Sequence, residues 1–233
     1  MKAMRRIKLS LKIVLISFFA LIVTNCNKDD GNPPVLPPAE SMTIDFSNFT
    51  AQNKSAGIAS ATAEINNWGF SALVAGYFKS LVVVTLAVPV YSFKMAANEV
   101  PVSISDKTWQ WNYSTTLQNT TYLSRLTGQI RETDVLWEMH ISGQGAGSFP
   151  EFLWFTGTSK LDGSSGQWLL NHSAQYQEPL LQIDWAKTGT AMGTIKYTYV
   201  RTLNDSRAAD PFKTSYFEYG KTSGSYDSYY TVH

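Results

Sequence analysis

Acid, base and fixed charge come closest together in this chain at Glu138 and His140. They stand two residues apart in an extended segment, so a strand would carry both on one face with about 7 Å between them. Asp184 or Arg125, arriving from another strand, would add a second carboxylate or a cation, and together these are the parts of a proton-transfer site. The same alternation is also what the solvated side of a one-sided sheet shows, and that plainer reading carries more weight. The seven tryptophans pose a similar choice. Exposed and coplanar indoles stack on sugar rings, whereas buried ones fill a core. Trp109, Trp111, Trp137 and Trp185 alternate with polar residues, which favours the core. The side chains through which a ligand would be met are then Glu138, His140, Trp154, Trp185 and Tyr197.

Other chemistry-bearing patterns are weaker. Gly143, Gly145 and Gly147 lead through Phe149-Pro150-Glu151 into another extended segment. A phosphate-cradling loop would lead into a helix, so this tract reads as a hairpin loop. Gly163-Ser164-Ser165-Gly166 lacks the spacing of a nucleophile elbow, and Asp162-Gly163 marks a turn. The three histidines, His140, His172 and His233, are too far apart to form a metal pair on one helix or hairpin. No nucleophile, base and orienting group can be named together, so the chain reads as non-enzymatic and without a cofactor.

The first residues carry an address. Lys2, Arg5, Arg6, Lys8 and Lys12 precede an apolar run from Ile13 to Val23, followed by Cys26, the single cysteine of the chain. This is the build of a secretory signal, too short for a stable membrane span. The residues Val23-Thr24-Asn25-Cys26 resemble the lipobox of bacterial lipoproteins, with Val23 where that family prefers Leu and Asn25 where it prefers Gly, Ala or Ser. The resemblance implies cleavage before Cys26 and lipidation of its thiol, which would consume the one reactive sulfur of a secreted chain. Asn27-Lys28-Asp29-Asp30 is similar to the acidic tether that follows the lipidated cysteine in many lipoproteins of the Bacteroidota, where it acts as a surface-export signal. That implies a cell-envelope protein, lipid-anchored to the outer membrane and facing outward.

Charge agrees with attachment by lipid. The chain holds 19 basic and 18 acidic residues; residues 1–25 carry five basic and no acidic ones, so the mature chain would hold 14 against 18, a net charge of −4. An acidic domain does not neutralise phosphates, which argues against nucleic acid as a partner. Two or three acyl chains, at about 0.8 kcal/mol per buried methylene, would anchor it without help from a basic surface.

The elements that must position the polar pair and the aromatics follow from periodicity. The expected organisation is a signal peptide over 1–25, a lipidated and proline-rich tether over 26–41, and one folded domain over 42–233. Pro33-Pro34 and Pro37-Pro38 favour an extended stalk. Ile44, Phe46 and Phe49 suggest a short strand. A helical segment is expected over about 55–98. Ile58, Ala61, Ile65, Trp68, Ala72 and Ala75 form an amphipathic stripe, and the run Leu81 to Val90, apolar on every side, reads as a buried core helix kinked at Pro89. From about 107 to 230 the period becomes two. The inward positions are Trp109, Trp111 and Tyr113; Val135, Trp137, Met139 and Ile141; Phe152, Trp154 and Thr156; Trp168 and Leu170; Leu181, Ile183 and Trp185; Ile195, Tyr197 and Tyr199. The aromatics from Tyr216 to Tyr230 form either a last hairpin or a contact patch.

Short turn-rich connections join antiparallel neighbours. The fold class predicted is α+β, an antiparallel β-meander, curved or closed into a barrel, packed on an N-terminal pair of apolar helices. In outline it is similar to periplasmic lipid and lipoprotein carriers, a likeness of shape alone. The expected function is that of an envelope-anchored binding or accessory module for an apolar or glycan ligand. The alternative is a structural lipoprotein that contacts other envelope proteins and takes no small ligand.

Overall fold

The computed structural model of the chain describes residues 31–43, 76, 78–80, 86, 88, 90–91, 93–117, 119–200, 214–221 and 228–232. The signal and Cys26, the expected strand near Ile44, the amphipathic stripe from Ile58 to Ala75, and the connection from Leu203 to Pro211 lie outside the described residues.

Among the described residues, ten strands form one antiparallel sheet in chain order. They are β1 (Val102–Ser105), β2 (Thr108–Leu117), β3 (Thr120–Ile130), β4 (Asp134–Gly145), β5 (Phe149–Lys160), β6 (Ser165–Asn171), β7 (Pro179–Thr188), β8 (Ala191–Tyr199), β9 (Tyr216–Lys221) and β10 (Ser228–Val232). The hairpins close on residues that tolerate the turn: Lys107, Asn119 and Gly189 all have positive φ. At the β3–β4 turn, Arg131 grips Asp134 with two bonds of 2.6 and 2.7 Å.

The alternation expected from the sequence fixes which face is buried. One cross-strand row reads Trp109, Gly128, Trp137, Gly157, Trp168, Ile183, Tyr197 and Phe217 from β2 to β9. Glycine and tryptophan alternate through its first five places, and the Trp137 and Trp168 indoles lie across the glycine backbone beside them. A Cβ on Gly128 would sit 2.6 Å from the Trp137 ring, and one on Gly157 would run into the Trp168 ring. The next row inward carries Trp111, Leu126, Met139, Phe155, Leu170, Leu181 and Tyr199. These side chains are buried, each apolar one contributing about 1.5–3 kcal/mol by leaving water.

The cover of this face comes from the N-terminal part of the chain. All the described residues between Gly76 and Ala96 are helical, and Phe78, Leu86, Val90, Phe93 and Ala96 join the same apolar core. Phe93 meets Trp168 edge-on at 5.5 Å and Phe155 at 6.3 Å between ring centroids. Among the described residues no helix is long and apolar enough to cross a membrane.

Three expectations need correction. The proline-rich segment is not a free stalk: Pro34 and Pro37 are buried. The reason is polar. Trp168 donates from Nε1 to Ser41 Oγ at 2.9 Å and Tyr197 donates from its hydroxyl to the Met42 carbonyl at 2.8 Å, so this segment supplies acceptors to core groups that would otherwise be stranded. Secondly, Phe152, Trp154 and Thr156 do not share an inward face. The β4–β5 register shifts between Met139 and His140, leaving Trp154 as the extra residue, so Phe155 turns inward and Thr156 pairs with Glu138 on the solvent side. Thirdly, β1 and β3 were not in the expected strand set. The inward positions of β3 include Ser124 and Gly128, which hide its apolar alternation.

Candidate functional site

The outward face of the sheet carries two polar groups of residues. The first is built around the predicted pair. His140 on β4 lies in register between Arg125 on β3 and Leu153 on β5, and Arg125 forms an ion pair of 2.6 Å with Glu151. Burial, and then the Arg125 charge, hold the His140 imidazole below its usual range, against the opposing pull of Glu151 and Glu138. The Arg125 hydrogen bond in turn holds the Glu151 carboxyl down. His140 Nδ1 and Trp154 Nε1 are both buried and find no hydrogen-bond partner among the described residues. Glu138 is half-buried between Thr127 and Thr156.

Of the partners suggested by sequence, Arg125 joins this group and Asp184 does not. Asp184 lies on β7, three strands from His140 on β4, a separation of roughly 14 Å at the usual strand spacing. The remaining two predicted ligand-facing residues are core residues: Trp185 is 3% exposed and Tyr197 is fully buried. Their side chains fall on the inward phase of β7 and β8, where Trp185 stacks on Trp168 and Tyr197 donates its hydroxyl to the Met42 carbonyl.

Asp184 belongs to the second group, a surface groove of about 370 Å³ lined by Ser165, Gly166, Asp184, Trp185, Ala186, Thr194, Lys196 and Glu218. Register assembles it. The outward row Gln167, Asp184, Lys196, Glu218 runs across β6, β7, β8 and β9. Gln167 donates from Nε2 to Asp184 Oδ1 at 2.6 Å, and Gln182, on the same strand as Asp184, donates to Oδ2 at 2.9 Å. Lys196 does not close an ion pair with Asp184 opposite it; its ammonium sits over the Tyr216 ring, 4.1 Å from the centroid. The groove thus combines a clamped carboxylate, a second carboxylate, an ammonium and the hydroxyls of Ser165 and Thr194. Such a set donates and accepts hydrogen bonds over a small area, and nothing in it is a nucleophile paired with a base.

Sequence reading named Asp184 for the wrong neighbours and did not single out Gln167, Lys196 or Glu218. Each is an ordinary outward position of its own strand, and only the four-strand register brings them together. The glycine tract at 143–147 is a hairpin connection, in which the Gly147 amide donates to Thr120 Oγ1 at 3.0 Å. Among the described residues no three His, Cys, Asp or Glu side chains gather as a metal site. No protein-family model, curated protein or solved structure matches the chain.

Proposed function

We propose that this chain is an envelope lipoprotein, held in the outer membrane by lipid on Cys26 and facing outward, whose folded unit is a non-enzymatic binding module for a glycan. One observation carries the ligand class: the two faces of the sheet differ in what they leave open. An apolar ligand would need room among Trp137, Phe155, Trp168 and Tyr197, each of which has no exposed surface. The groove on the outward face has hydroxyls, carboxylates and an ammonium, the groups that hydrogen-bond sugar hydroxyls. In this reading a pair of apolar helices covers the inward face, the second of them supplying Phe78 to Ala96, and the sheet curves around the pair.

The experiment is a paired titration of the chain against an oligosaccharide panel and a long-chain fatty acid. Saturable binding to a glycan and none to the fatty acid is the expected result; the reverse would overturn the ligand class. A second reading, an assembly lipoprotein contacting other envelope proteins with no small ligand, is favoured by the sheet edge. Among the described residues β1 ends the sheet, and Val100 just before it and Val102 and Ile104 within it are 88, 60 and 51% exposed, an apolar edge of the kind that pairs with another chain. Absence of any glycan binding, together with an envelope cross-link lost in Ile104→Lys, would establish that reading instead.

A further inference from the structure

Resting on the glycan reading above, we infer that the groove recognises a neutral sugar through a vicinal diol held by Asp184, and that it rejects sugars carrying a carboxylate at that position. The argument starts from the hydrogen bonds of the Asp184 carboxylate. An ionised carboxylate offers about four acceptor sites on its two oxygens. Gln167 occupies one site on Oδ1 and Gln182 one on Oδ2, at 2.6 and 2.9 Å. Each oxygen therefore keeps one acceptor site, and the two amide clamps fix the plane of the carboxylate before any ligand arrives. Two parallel acceptors at the spacing of a carboxylate match the two hydroxyl donors of adjacent carbons on a pyranose ring.

Lys196 strengthens the assignment by what it does not do. It stands opposite Asp184 in the β7–β8 register, where a surface lysine would ordinarily pair with the carboxylate, yet its ammonium lies over Tyr216. Among the described residues no ammonium or guanidinium lies within ion-pair distance of the Asp184 carboxylate. Ser165 and Thr194 line the same groove and supply hydroxyls that act as donor or acceptor. A uronic acid or other acidic sugar entering here would bring a second carboxylate against Asp184, and like charges in a partly desolvated groove repel. A neutral diol brings no such charge.

The full chain, purified in a sugar-free detergent, is titrated calorimetrically with neutral gluco- and manno-oligosaccharides and with their uronate-containing counterparts. Asp184→Asn is carried alongside; it keeps the shape and one acceptor but replaces the other with a donor, and far-UV circular dichroism checks its fold. The expected result is saturable binding of a neutral oligosaccharide, no measurable binding of its uronate counterpart, and a loss of about tenfold or more in Asp184→Asn, since charge-assisted bonds are roughly twice as strong as neutral ones. Equal binding by Asp184→Asn, or a preference for the uronate, overturns the diol assignment while leaving glycan binding standing. Binding of none of the oligosaccharides overturns both. Should Asp184→Asn fail to fold, Gln182→Ala is the second variant: by releasing one oxygen of the clamp it is expected to weaken the neutral sugar several-fold with the melting temperature unchanged, and unchanged affinity overturns the assignment.

Discussion

Replacing Gly128 by alanine tests the way the aromatic core is put together. The residue lies on β3 opposite Trp137 of β4, and its φ is not in the left-handed region, so an alanine there meets no backbone strain. What it meets is side chains: a Cβ would stand 2.6 Å from Trp137 Cζ3 and 3.0 Å from Pro34 Cγ. The indole cannot withdraw freely, because its Nε1 donates to Ser159 Oγ at 2.9 Å and its ring packs against Trp111 at 5.9 Å. Overpacking of this kind costs about 1–3 kcal/mol, and strain on the indole bond adds up to about 1 kcal/mol. The smaller unfolded-state entropy of alanine offsets about 0.4–1 kcal/mol. A net loss of about 1–3 kcal/mol is expected, read from urea unfolding followed by far-UV circular dichroism. The decisive arm is Trp137→Leu, in which the clash is absent: there Gly128→Ala is expected to cost about 1 kcal/mol less than in the parent, the difference being the coupling between the two positions. Equal losses in both backgrounds, or no loss in the parent, would refute the reasoning.

Other consequences can be measured on the same material. Because His140 is held below its ordinary value, stability is full above about pH 6.5 and falls as the pH drops through that value toward the folded-state one. Melting temperature against pH is expected to lose this slope in His140→Gln, and an identical slope would mean that the imidazole does not report on folding. Glu151, held down by Arg125, adds its own loss only in the more acidic carboxylate range. Ser41→Ala strands the Trp168 indole donor and is expected to cost about 1–3 kcal/mol, or several degrees in melting temperature for a domain of this size; a freely hanging tether would show no change. Cys26→Ala is expected to abolish acyl labelling in cells, whereas retained labelling would remove the lipoprotein reading.

The meander was legible because period-two alternation survives wherever the inward positions are large. Val135 to Ile141 and Leu181 to Trp185 could be assigned to a face without any structure, and their burial follows that pattern. The pattern failed in two physical circumstances. In β3 the inward Ser124 and Gly128 are small because neighbouring strands supply the bulk, so the strand looks polar on both sides. In β5 a bulge inserts one residue and reverses the phase, which no local periodicity announces. The proline-rich segment read as a stalk because its extended backbone was visible and its docking partners, over a hundred residues away in the chain, were not. The site was less legible than the fold. Glu138 and His140 share a strand and were found together, whereas Gln167, Asp184, Lys196 and Glu218 come from four strands and meet only through register.

The central claim is that this domain meets its ligand on the outward face of the sheet and keeps its inward face filled. Carboxyl footprinting of the full chain, with and without the tightest-binding neutral oligosaccharide, tests it at single residues. Labelling of Asp184 is expected to fall when the sugar is present, while Glu132 and Glu151, remote from the groove, label as before. Unchanged labelling of Asp184 with the sugar bound would contradict the claim.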